Sequence, residues 1–127
     1  QKFLIHIVNR PINLNKVEII EPHAFWNASK NSSIEFPENL KQLGFAVFYL
    51  AKFTELTVPQ NTETLNGTVF GDNILLKKVT LKPLKLGFGT NNFVGCPDLN
   101  SVLIRRGLVC RKHPIYQAHH KLKTGDC

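Results

Sequence analysis

Apolar side chains recur along the chain with a long period. Phenylalanine stands at Phe25, Phe48, Phe70 and Phe93, at spacings of 23, 22 and 23 residues. Five positions before each lies a large apolar residue: Ile20, Leu43, Leu65 and Phe88. Nine positions after each, eight in the second case, comes an apolar-x-apolar unit: Ile34-Glu35-Phe36, Leu56-Thr57-Val58, Val79-Thr80-Leu81 and Val102-Leu103-Ile104. Ile5-His6-Ile7 reads as the tail of an earlier unit. Each unit alternates as a short strand does, with two large residues turned inward and the middle one outward. Pro37 and Pro59 end the first two strands, because a residue without N–H breaks the ladder.

Self-similarity at a fixed period of about two dozen residues is the mark of a solenoid. A small β-sandwich also repeats strands and turns, but nothing in a sandwich requires the same Phe in every interval. One coil cannot enclose its own Phe and leucines, so each coil needs neighbours above and below. The pattern therefore predicts a repeat solenoid of short parallel strands, with a convex side of loop and short helix. The divisions expected are a partial repeat at 1–16 and four repeats at about 17–39, 40–61, 62–85 and 86–106. Beyond Arg106 the Phe-plus-strand pattern stops, and 107–127 reads as a C-terminal cap or the start of another segment.

Solenoid strands lie side by side, so their outward residues form columns that a partner can touch. The central column is His6, Glu35, Thr57, Thr80 and Leu103. The column before it is Leu4, Ser33, Glu55, Lys78 and Ser101, and the one after it is Val8, Pro37, Pro59, Lys82 and Arg105. Read this way, the surface passes from acidic at Glu35 and Glu55 to basic at Lys78, Lys82 and Arg105, a gradient that would orient a partner of complementary charge. The formal net charge of +7 has the same asymmetry: residues 1–76 hold six Lys/Arg against seven Asp/Glu, and residues 77–127 hold ten against two. A basic C-terminal half raises polyanion or nucleic-acid binding as an alternative. Tyr116 is the one aromatic beyond Phe93, so stacking platforms for bases are missing and nucleic acid is disfavoured. A spacer that displays other domains without binding anything is the remaining alternative.

Catalysis finds no foothold in these motifs. There is no Gly-rich phosphate loop, nucleophile elbow or paired-carboxylate motif, and no cofactor is expected. Cys110, His113, His119, His120 and Cys127 lack the close pairs that zinc sites use, which argues against a metal. Of the three cysteines, Cys110 and Cys127 are the expected disulfide that closes the C-terminal end, and Cys96 is expected to be a small buried side chain. A disulfide suits an extracellular setting, as do the sequons at Asn27, Asn31 and Asn66. No apolar run reaches the roughly 20 residues needed to span a bilayer.

At Asn92-Phe93-Val94-Gly95-Cys96-Pro97-Asp98-Leu99-Asn100-Ser101-Val102-Leu103-Ile104 the chain resembles the BspA-like class of leucine-rich repeats. Their units read roughly as AF, then GC-x-x-L-x-x-V-x-I-P. His23-Ala24-Phe25 and Leu56-Thr57-Val58-Pro59 match pieces of the same unit, and the likeness covers about residues 17–106. Only one repeat carries the Gly-Cys pair, and Lys82 and Arg105 stand where the unit ends in Pro. The resemblance implies a secreted or cell-surface protein of bacteria or parasitic protists that binds a protein or glycoconjugate ligand, in adhesion for example.

Overall fold

The computed structural model describes residues 3–4, 17–26, 36–83, 85–88, 91–105, 107–113, 115 and 122–126. Its strands are all short: β1 Phe3–Leu4, β2 Ile19–Ile20, β3 Gln42–Leu43, β4 Glu55–Val58, β5 Thr64–Leu65, β6 Lys78–Leu81, β7 Gly87–Phe88, β8 Ser101–Ile104 and β9 Gly107–Leu108. They make two sheets, ordered β1-β2-β3-β5-β7 and β4-β6-β8-β9. Among the described residues every pairing is parallel and links one coil to the next, except the antiparallel β8–β9 hairpin. A solenoid of parallel strands with almost no helix is thus the architecture the repeat predicts.

The four phenylalanines form the predicted ladder. Neighbouring ring centroids lie 5.2 Å apart for Phe25–Phe48, 5.9 Å for Phe48–Phe70 and 5.2 Å for Phe70–Phe93, the last two pairs nearly parallel at 6° and 8°. All four rings are buried. Beside them runs a second inward column, Phe53, Leu76, Leu99 and Leu122. Stacked rings contribute about 0.5–1.5 kcal/mol per pair beyond their burial.

The residues five positions before each Phe do more than fill the coil. Ile20, Leu43, Leu65 and Phe88 belong to a second sheet of two-residue strands. Leu4 joins this sheet too, in register with Ile20. The expectation that Leu4 shares a column with Glu55 and Lys78 is therefore corrected. The strand that Phe3–Leu4 contributes is the one preceding the Phe turn, which the spacing alone did not separate from the outward-facing strand. Of the predicted strand at Ile34–Phe36, Phe36 is half-buried against Phe48 outside any strand, and Ile34 and Glu35 lie outside the described residues.

Each Phe is carried on a turn that is itself laddered. Phe25 N–H donates to Val47 O, Phe48 N–H to Val69 O and Phe70 N–H to Asn92 O, at 2.8–3.0 Å. Two positions before each Phe the backbone is left-handed, at His23, Ala46, Thr68 and Asn91 with φ of 49–65°. Two positions after it the backbone is left-handed again, at Leu50, Asp72 and Gly95. This second position explains the glycine of the Gly-Cys pair, since only glycine takes that conformation without steric cost. A Cβ on Gly95 would also collide with Asp72 Oδ1 of the preceding coil.

The coil backbone continues past Arg106. Lys123 N–H donates to Asn100 O, as Asn100 N–H does to Lys77 O and Lys77 N–H to Thr54 O. Leu122 and Ile115 are buried on the same core. Replacement of the Phe by Ile115, and loss of the strand, hid this continuation from a search for Phe-plus-strand units.

Two substitutions separate the core from the turn. Phe48→Ala should lower unfolding free energy by about 3–5 kcal/mol through the cavity left in the ladder. Leu50→Gly should raise it by about 0.5–1 kcal/mol by relieving the left-handed turn. Urea denaturation followed by circular dichroism reads both, and a destabilised Leu50→Gly would refute the turn argument.

Candidate functional site

The three strands β4, β6 and β8 put the predicted surface together. Their residues alternate, with Leu56, Val58, Val79, Leu81 and Val102 buried. The register places Glu55 beside Lys78 and Lys78 beside Ser101, then Thr57 beside Thr80 and Thr80 beside Leu103. Lys82 and Arg105 are exposed just past the ends of β6 and β8. Of the other residues expected on this face, His6, Ser33 and Glu35 lie outside the described residues.

Two features add to the expected face. Where acid passes to base, Lys78 Nζ lies 3.8 Å from Glu55 Oε1, so the two charges offset one another at the join. Both side chains remain substantially exposed, which makes this a weak pair. The far end of the face is also extended. β9 runs back along β8 with Leu108 opposite Leu103, after a turn that uses Gly107 at φ 111°. Ser101 and Leu103 are half-buried, as Lys78 and Thr80 are, and the part most open to a partner is Glu55, Thr57 and Lys82, with Arg105 at the rim.

Beneath the turns sits a buried column, polar at Asn73 and Cys96. Ala51, Asn73 and Cys96 each stand three residues after a ladder Phe and are buried. Asn73 Nδ2 donates to the carbonyls of Phe48 (2.6 Å), Phe70 (2.9 Å) and Gly71 (3.2 Å), while Cys96 Sγ donates to Phe70 O at 3.0 Å. These bonds satisfy carbonyls that the turn leaves inside the coil. Burial pushes the Cys96 thiol up to about 11, so it stays protonated and able to donate. Cys96 is thus a structural donor as well as a small apolar filler.

Sequence reasoning missed the apolar turn side. Trp26, Phe45, Leu50, Ile74, Leu75 and Val94 are exposed there. Trp26 and Tyr49 follow successive ladder Phe residues and touch with ring centroids 4.7 Å apart, tilted at 41°, and a Cβ on Gly71 would strike the Tyr49 ring. The Tyr49 hydroxyl donates to Asp72 Oδ2 at 2.7 Å, a bond that raises the phenol above its ordinary value. The signal was available: Trp26 is the single Trp, and Tyr49 stands 23 residues after it.

At the C-terminal end Cys110 is disulfide-bonded and Cys96 is free, while Cys127 lies outside the described residues. Asn66 is exposed directly after β5, and Asn27 and Asn31 lie outside the described residues. Among the described residues no group of His, Cys, Asp and Glu is placed to hold a metal, and no helix is long and apolar enough to cross a membrane.

Laddered coils with a Phe stack and a Gly-Cys turn define a leucine-rich repeat protein. The chain belongs to the BspA type leucine-rich repeat family, whose pattern it matches in six copies over residues 7–122, running on beyond Arg106. It is similar in structure to a leucine-rich repeat protein from Bacteroides ovatus, with a TM-score of 0.69 and 22% identity. That likeness covers 87% of this chain but 28% of the other, so the chain spans under a third of its length. No curated protein matches the chain. Repeats of this family serve in general as scaffolds for interaction with proteins rather than as enzymes.

The Cys96 thiol should resist iodoacetamide at pH 8 in the native protein and react at least about 100-fold faster once unfolded, because only the thiolate is nucleophilic. Peptide mass spectrometry at Cys96 measures this. Equal labelling of folded and unfolded protein would contradict the buried-donor role.

Proposed function

We propose that this chain is the protein-binding part of a secreted or cell-surface protein, used in adhesion, and that it binds through the face of β4, β6 and β8. The observation that carries this reading is the register, which turns residues far apart in sequence into the adjacent columns Glu55–Lys78–Ser101 and Thr57–Thr80–Leu103. A face of exposed and half-buried side chains on laddered strands changes little on binding, so few rotamers are frozen. The disulfide at Cys110 supports an oxidising, extracellular setting. The ligand is a protein or glycoconjugate, no catalysis is involved, and exposed Asn66 is an acceptor for N-linked glycan if the source cell makes one.

A stable interface takes roughly 800 Å² from each partner, more than three four-residue strands supply, so residues flanking the strands must contribute. Thr57→Glu or Thr80→Glu should reduce capture of partners from a mixture of cell-surface and matrix proteins by at least about tenfold, an effect of more than 1 kcal/mol. Neither should shift the melting temperature by more than a few degrees, since both sites face outward. Ile74→Ser, on the turn side, should leave capture intact. Unchanged capture by the strand variants, or loss only with Ile74→Ser, would move the binding surface to the turns.

A further inference from the structure

The strand face has a composition that selects among protein partners. Its two flanks are basic. On one side the coil ladder lines up positions 54, 77, 100 and 123; of these Lys77, beside Lys78, and Lys123, two coils further along with Asn100 between, are exposed. On the other side Lys82 and Arg105 are exposed one coil apart. Against these five cations stand Glu55, already shared with Lys78, and Asp126. Glu55–Lys78 is the ion pair on this face among the described residues.

Between the flanks the surface is uncharged. Thr57, Thr80 and Leu103 are adjacent across the strands, and Leu108 continues the row beyond Leu103. Thr80, Leu103 and Leu108 are each half-buried and so still reachable. The basic flanks lie four to five strand residues apart, about 13–17 Å, a gap that extended Lys and Arg side chains narrow from both sides. A bare polyanion would use the flanks and leave the Thr-Leu centre unmatched. Resting on the strand-face reading above, we propose that the partner presents an acidic segment in which carboxylates are interleaved with apolar side chains. The apolar side chains lie over Thr80, Leu103 and Leu108, and the carboxylates meet Lys77, Lys82, Arg105 and Lys123.

Complementary charge of this kind raises the association rate and excludes basic partners, and the apolar centre supplies the discrimination against plain polyanions. The probes are three fluorescein-labelled peptides of about ten residues: alternating Glu and Val, all Glu, and alternating Lys and Val. By fluorescence anisotropy at low salt, the Glu-Val peptide should bind at least about fivefold more tightly than the all-Glu peptide, and the Lys-Val peptide should not bind. Raising salt from about 0.05 M to about 0.5 M should weaken Glu-Val binding about tenfold or more, because exposed charges are screened beyond a few ångströms. Lys82→Glu combined with Arg105→Glu should abolish binding of both acidic peptides, and Leu103→Ser should weaken only the Glu-Val peptide. Thermal melts of each variant establish that the fold persists.

Equal or tighter binding of the all-Glu peptide, or a Leu103→Ser effect on both acidic peptides alike, would overturn the proposal in favour of simple polyanion binding. Binding of the Lys-Val peptide, or no binding of the Glu-Val peptide, would also overturn it. If Thr57→Glu and Thr80→Glu still block capture of a partner in that last case, the strand face stands and only the acidic chemistry of the partner falls.

Discussion

The ladder of phenylalanine rings sets the terms for the rest of this molecule. Phe25, Phe48, Phe70 and Phe93 touch only because the chain returns to the same point of its coil every 22 or 23 residues. A ring buried on both faces by its neighbours leaves no room for a coil to slip by a residue. Slippage would turn Leu56 or Val79 outward and Thr57 or Thr80 inward, because the side-chain period of a strand is two. The backbone bonds between coils therefore follow from the ring stack as much as they support it. The Lys123 to Asn100 bond shows the ladder carried on after the last Phe.

Holding a Phe inward on a tight turn has a local consequence that each coil meets differently. The turn needs a left-handed residue on either side of the Phe and leaves carbonyls facing the core. One coil uses Gly95 and Cys96, one uses Asp72 and Asn73, and one uses Leu50 and Ala51. The Asp72–Asn73 coil ties Tyr49 through its carboxylate and gathers three carbonyls through its amide. Different side chains thus meet one geometric demand, which is why the repeat is plain in its apolar positions and obscure in its polar ones.

The same regularity creates the surface. Positions 23 residues apart become neighbours at about 4.8 Å across a sheet, so a face with its own chemistry needs only one well-chosen residue per coil. On β6 and β8 this gives basic margins on either side of Thr80 and Leu103. After β8 the chain reverses into β9, and the hairpin covers the edge of β8 at Leu103 and Ile104 that would otherwise pair with any passing strand. The same hairpin carries the row on from Leu103 to Leu108 and protects the sheet edge.

Sequence alone determined the period, the inward columns, the strands at Leu56–Val58, Val79–Leu81 and Val102–Ile104, and the outward identity of Thr57 and Thr80. These are legible because large apolar side chains at a fixed spacing have one economical way to be buried. It did not disclose that Ile20, Leu43 and Leu65 form a sheet of their own, since a two-residue strand carries no alternation to read. Nor did it disclose that Glu55 pairs with Lys78, that Leu108 folds back onto Leu103, or that Cys96 donates to Phe70 O. Those contacts depend on which coil lies beside which and on where the chain turns back. Only packing in three dimensions decides that, because the residues concerned are bound by distance in space and not by any pattern along the chain.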